Sequence, residues 1–177
     1  MVKQHIAVLR YGHRFERDYR VTSHCCLVAR AFGAEKVIIA GDEDQSIRES
    51  VNDITERWGG KFEIEFTGNW KKTLKEFKAK GFFAAHLTMY GLPVQKEIAK
   101  IRKKQKILVI IGSQKVEKEV YRLSDANISI TTQPHSEIAA LAVFLDRLQS
   151  GKELEKKFSK AKIKVVPQKK GKKITKK

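Results

Sequence analysis

The chain is 177 residues long, enough for one domain with its own core and a short appendage. Charged residues make up 32% and the formal net charge is +17, and an excess carried by Lys and Glu is the pattern of thermophile proteins. No apolar run approaches the ~18 residues of a membrane span, and the only two cysteines, Cys25 and Cys26, are adjacent, which excludes an unstrained disulfide or a cysteine-built zinc site.

A first strand is predicted over residues 5–10. It begins within a few residues of Met1 and carries charge, so it does not read as a signal peptide. A reduced, cytoplasmic protein is expected. Directly after it, Arg10, Arg14, Arg17 and Arg20 alternate with His13, His24, Tyr11, Phe15 and Tyr19, opening a helix that ends at Gly33. Guanidinium forks bind phosphates and aromatic rings stack on unpaired bases. Glu16 and Asp18 in the same run also allow internal ion pairs.

Further strands are predicted over residues 36–40, 61–66, 82–88, 106–111 and 127–130. Between them run helical stripes: Ile47, Val51, Ile54 and Trp58; Trp70, Leu74 and Phe77; Val94, Ile98 and Ile101; Val116, Val120 and Leu123. Alternating strands and helices, with continuous apolar strands such as Ile107 to Ile111, predict an α/β protein: a mostly parallel sheet covered by helices on both faces. Phe62, Ile64 and Phe66 alternate with charges instead, which suits an edge strand.

The last predicted helix, residues 135–149, carries Ile138, Leu141, Ala142, Leu145 and Leu148 on one face, with Ala139, Ala140, Val143 and Phe144 around the rest. A helix apolar almost all round is covered twice, so a second copy of the chain is expected against it, with Phe144 and Leu145 as contacts. Residues 151–177 then hold twelve Lys and two Glu, so +10 of the net charge sits in this Lys-rich C-terminal extension and the domain proper is residues 1–150. Such asymmetry suits a polyanionic partner such as nucleic acid, or a solvated tail. Part of it, around Ile163, Val165 and Val166, has the composition of a strand.

Ligands of parallel sheets sit at the carboxyl ends of the strands, and three strand ends are equipped for one. Leu87 to Gly91 follows the fourth strand. Gly112, Ser113, Gln114, Lys115 and Val116 follow the fifth. Ile130, Thr131, Thr132, Gln133, Pro134, His135, Ser136 and Glu137 follow the sixth and lead into the last helix, whose first turn has unpaired N–H groups. Neither a dinucleotide fingerprint nor a P-loop is present.

Three segments together resemble the SPOUT class of RNA methyltransferases, and specifically the archaeal tRNA cytidine-56 2′-O-methyltransferase family. They are Leu9-Arg10-Tyr11-Gly12-His13-Arg14-Phe15-Glu16-Arg17-Asp18-Tyr19-Arg20 running on to His24 and Arg30-Ala31-Phe32-Gly33, then Lys106 to Val116, then Thr132-Gln133-Pro134-His135-Ser136-Glu137 to Leu148. The likeness covers about residues 5–150; Phe15 departs from it where Pro is expected. It implies a C-terminal trefoil knot, an exception to the unknotted rule, S-adenosylmethionine as cofactor, a homodimer with the site at the interface, tRNA as substrate, and no metal. By position, Leu87, Gly112 to Val116 and Ile130 to Glu137 would hold the cofactor, Arg20 would be the catalytic arginine, and Arg14, Arg17, His24 and Arg30 would touch RNA.

Ribose 2′-O-methylation needs the oxygen in line with the methyl group, its proton removed and water excluded. Arginine, with a pKa above ~12, is a poor base. Arg20 is therefore expected to orient a phosphate and stabilise developing oxygen charge, with His24 or His13 the chemically easier base. His135 reads as a backbone-level cofactor contact and His86 as a satisfied strand residue. A non-catalytic RNA-binding protein and a SPOUT enzyme acting on another RNA site are the rival readings.

Overall fold

In the computed structural model, residues 4–112 and 115–176 are described. Ser113 and Gln114, both expected at the cofactor site, lie outside the described residues. Strand and helix alternate from β1 (His5–His13) and α1 (Phe15–Ala31) through β2 (Lys36–Gly41), α2 (Gln45–Trp58), β3 (Glu63–Thr67), α3 (Trp70–Ala79), β4 (Phe83–Pro93), α4 (Val94–Ile101), β5 (Lys106–Gly112), α5 (Lys118–Leu123) and β6 (Ala126–Ser129) to α6 (Glu137–Gln149).

The six strands form one parallel sheet in the order β3-β2-β1-β5-β4-β6. Strand parity divides the core in two. Ile6 and Val8 of β1, with Ile107 and Val109 of β5, face the layer that holds α1, α2, α4 and α6. Ala7 and Leu9, with Leu108 and Ile110, face α3 and α5. Both faces are covered, so the central strands carry no polar alternation, whereas β3 does alternate and lies at the edge. The chain reverses its order of strands between β1 and β5, and a crevice opens beyond the carboxyl ends at such a point.

β4 runs five residues past the strand that periodicity predicts, with a register shift against β6 between Leu87 and Leu92. The extension depends on Gly91, where an added Cβ would sit 2.5 Å from the backbone of Asn127 and Ile128. Only glycine lets these two backbones meet so closely.

α6 corrects one expectation. Phe144 and Leu145 are 0% exposed, packed inside the chain's own core with Leu141 and Leu148. They are not surface contacts for a second subunit. The outward stripe is Ala139 and Val143, the latter 39% exposed. Ser136 caps the helix by accepting from the Ala139 N–H at 3.3 Å.

The basic extension forms an antiparallel hairpin, β7 (Ile163–Val166) with β8 (Lys173–Lys176), so its strand pairs within the extension and not with the main sheet. The chain leading into it docks on the end of α2. Gly60 N–H donates to the Ser159 carbonyl at 2.7 Å and Lys162 N–H to that of Arg57 at 3.0 Å. At Gly59, φ is +78° and a Cβ would come within 2.6 Å of the Ala161 nitrogen. Arg30 pins the same junction, donating to Thr55 Oγ1 and the Gly59 carbonyl beneath the Phe158 ring. Arg30 is 8% exposed, committed to packing at the amino edge of the sheet, and so does not present itself to RNA as the sequence suggested.

Candidate active site

A cleft of about 410 Å³ opens at the carboxyl ends of β4 and β5, within the range of small-molecule sites. β4 supplies His86 to Tyr90, β5 supplies Ile111 and Gly112, and Val116 and Tyr121 follow from the next loop and α5. Pro134, His135, Glu137 and Ala140 close it from the α6 side, and Arg14, Asp18 and Val21 from α1. The structure thus brings together Leu87, Gly112, Val116, Pro134, His135 and Glu137 from the three strand-end loops. Gly112 packs closely, because a Cβ there would force the Val116 side chain to move.

The rest of the 130–137 loop plays other parts. Ile130 packs against the larger core cluster. Thr131 Oγ1 accepts from the Gln133 N–H at 3.2 Å, Ser136 is the helix cap, and Thr132 and Lys115 are exposed. A loop whose side chains are exposed or engaged locally offers a ligand mainly backbone groups.

Two carboxylates line the cleft and each meets an arginine. Arg14 grips Asp18 by Nε to Oδ2 at 2.9 Å and Nη2 to Oδ1 at 3.1 Å, and its backbone N–H adds a third bond. Those hydrogen bonds hold the Asp18 carboxyl below the usual carboxylate range. Arg14 therefore reaches the cleft with much of its fork already used. Glu137 Oε1 lies 3.2 Å from Arg10 Nη2. The sequence groups Arg10 with the phosphate-binding arginines, but it is 0% exposed, and strand parity carries the signal: it falls in the inward row of Ile6 and Val8, where a charge needs a reason.

The remaining arginines of α1 point elsewhere. Arg17, Arg20 and His24 are exposed, at a three-then-four spacing that puts them on one helix face, and none lines the cleft of its own chain. His13 does not qualify as a base. It is 2% exposed, its Nδ1 is 2.9 Å from Thr22 Oγ1, and burial lowers its pKa. Among the described residues His86 is only half satisfied: Nδ1 meets Asn127 Oδ1 at 2.8 Å, while Nε2 is buried without a partner. Burial lowers its pKa too, and the ring packs edge-on against Tyr121. Cys25 and Cys26 are buried free thiols, Cys25 pushed up to about 12 by burial, which makes it unreactive.

A larger open groove of about 1160 Å³ lies at the other edge, between the amino ends of the strands and the extension. It is lined by the loops that enter the strands, and by Lys152, Lys156 and Lys157 of the extension.

Comparison with known proteins bears on the cleft. The family described as tRNA ribose 2′-O-methyltransferase, aTrm56, matches residues 58–175, hairpin included. A tRNA (cytidine(56)-2′-O)-methyltransferase of Methanopyrus kandleri is 55% identical over 167 residues, covering 94% of each chain. Among solved structures, a putative RNA methyltransferase of the TrmH family from Porphyromonas gingivalis superposes with a TM-score of 0.65 at 15% identity, over 83% of this chain and 60% of that one. The SpoU methyltransferase AviRb from Streptomyces viridochromogenes, solved with AdoMet, gives 0.59 at 15% identity over 84% and 58%. The chain spans about three-fifths of the length of these two structures, and at such identity they speak for the fold alone.

Proposed function

The chain belongs to the tRNA ribose 2′-O-methyltransferase family, and from that premise we propose that it methylates the 2′-oxygen of cytidine 56 in tRNA with S-adenosylmethionine as donor. The observation that carries this reading is the convergence of the three strand-end loops on one cleft at the point where the strand order reverses.

The residues present fit the cofactor. Leu87, Ile111, Val116 and Ala140 offer an apolar wall, and the 130–137 loop offers backbone groups. Leu87, Gly112 to Val116 and Ile130 to Glu137 would hold it. When bound, S-adenosylmethionine supplies a methyl group activated by its sulfonium, chemistry that needs no metal. Arg20 orients a phosphate beside the target ribose and stabilises the oxygen charge that develops as the 2′-proton leaves. Arg17 and His24, on the same face of α1, contact the RNA, and His24 is the exposed imidazole available to take the proton. Arg14 joins them at the rim of the cleft.

Arg17, Arg20 and His24 do not line their own chain's cleft, so a homodimer, in which this face meets the cleft of a second copy, is part of the reading. The exposed Phe15, Tyr19 and Val143 support it. So is a trefoil knot tied by the C-terminal part of the sheet. The hairpin adds charge attraction for tRNA and no choice of nucleotide. No helix among the described residues is long and apolar enough to cross a membrane, and a cytoplasmic, archaeal tRNA-modifying enzyme is the setting proposed.

The test is incubation of unmodified tRNA with labelled S-adenosylmethionine, followed by mapping of the label. Label on the ribose of cytidine 56 is expected. Label on a base or another nucleotide overturns the assignment, and tRNA binding without label makes the chain a binding protein.

A further inference from the structure

Arg10 is among the largest fully buried side chains of the molecule, at 0% exposure. An arginine in that position costs several kcal/mol in desolvation unless it is well paired, and an apolar residue would fill the inward row of β1 at no such cost. Its pairing is incomplete. Nη1 donates to the Tyr11 carbonyl at 2.8 Å and Nη2 meets Glu137 Oε1 at 3.2 Å, but Nε is buried with no partner among the described residues. A guanidinium buried with one donor unsatisfied is poor design for stability alone.

Its surroundings suggest what it does. Glu137 is the first residue of α6 and the last of the 130–137 loop, it lines the cleft, and its side chain remains 26% exposed. On the other wall Asp18 holds Arg14, and the positive charge of Arg10 is felt at Asp18 as well as at Cys25. One buried cation on the central strand thus sits behind both carboxylates of the cleft, with a direct bond to one of them.

We propose that Arg10 is a positioning residue for methyl transfer: through its ion pair with Glu137 it fixes the 130–137 loop and the start of α6 in the geometry that receives the cofactor. β1 is paired on both sides, to β2 and β5, and so is a fixed reference. The loop it anchors has mainly exposed side chains and little packing of its own. A charge-assisted bond from a rigid strand to a loosely packed loop restricts that loop before the ligand arrives, and such preorganisation is read out as affinity.

The inference rests on the methyltransferase reading, and the test separates the two. S-adenosylmethionine affinity is measured by calorimetry, together with the thermal midpoint and steady-state kinetics, for the full-length wild type and for Arg10→Lys, Glu137→Gln and the double variant. A wild-type protein that binds no S-adenosylmethionine overturns the underlying reading before any variant is made. With binding established, Glu137→Gln and Arg10→Lys are each expected to stay folded and weaken the cofactor about tenfold or more, the scale of a missing charge-assisted bond. KM for S-adenosylmethionine rises while KM for tRNA does not. The double variant is expected to be no worse than the weaker single, since both remove one bond. Affinity within twofold of wild type in folded Glu137→Gln overturns the proposal. So do additive losses, which would make Glu137 a direct ligand group independent of Arg10. Should Arg10→Lys fail to fold, Glu137→Gln and Glu137→Asp decide between them: the proposal requires that Asp, which keeps the charge, recover more affinity than Gln.

Discussion

In the cleft at the carboxyl edge of the sheet, charges are few, partly buried and matched one to one: Arg10 with Glu137, Arg14 with Asp18. At the amino edge and along the extension they are many, exposed and mostly of one sign, with lysines reaching backbone carbonyls or carboxylates, as Lys36 does with Glu63 at 2.8 Å and Lys78 with Asp125 at 2.7 Å. A buried pair is poorly screened and fixes geometry, whereas exposed charges interact weakly, lose strength with salt and act collectively over a distance. The first arrangement suits holding a small ligand still. The second suits attracting a large polyanion without reading it. If that division is right, damage to the two edges should separate into failed chemistry and weakened attraction.

Arg20→Ala should have the largest effect, a fall of about 10²–10³ in turnover, with cofactor binding and thermal midpoint retained. Arg20→Lys should recover little, because a point charge does not reproduce a planar fork. An active, folded Arg20→Ala protein moves the role to Arg17 or His24.

Deleting residues 157–177 should weaken tRNA binding and flatten its salt dependence, by ~0.9 in the log–log slope for each phosphate that the extension no longer neutralises. Mapping should find the same nucleotide methylated. A changed position would show that the extension selects the site, and the division between the edges would fail.

Two glycines give a matched pair on stability. Gly91→Ala forces a clash between β4 and β6 at the cleft and should cost about 1–3 kcal/mol, together with cofactor affinity. Gly59→Ala strains the junction of α2 with the extension; it should expose the tail to limited proteolysis while leaving cofactor affinity unchanged. An equal fall of cofactor affinity in both would mean the edges are coupled.

On α6, Val143→Asp should give folded monomers in sedimentation, while Phe144→Asp, which buries a charge in the core, should not fold. A Val143→Asp protein that remains dimeric removes this stripe from the interface.

The smallest effect concerns acid. Burial lowers the pKa of both His13 and His86 below their usual value near ~6.5. Between the folded and unfolded values the unfolded chain binds more protons, so stability is full above ~6.5 and falls as pH drops towards the folded pKa. Thermal midpoints between pH 7 and pH 5 should show that slope, and His86→Gln should flatten part of it; an unchanged slope assigns it to His13 or other groups.

Much of this molecule is written locally. Apolar runs such as Ile107 to Ile111, the helical stripes between them and the Ser136 cap are each set by neighbours within a turn or two. That is why element order, parallel pairing and the edge position of β3 are legible in the chain itself. The three ligand loops are legible too, because each directly follows a strand. Contacts between distant segments are not. Phe144 and Val143 are adjacent apolar residues, and only the packing of α6 on the sheet decides that one is core and the other surface. Arg30 looks like one more cation of a basic run until α2 and the extension close over it. Arg10 and Glu137 are 127 positions apart in the sequence, and no local pattern joins them; only the route of β1 and α6 past each other places that guanidinium under that carboxylate.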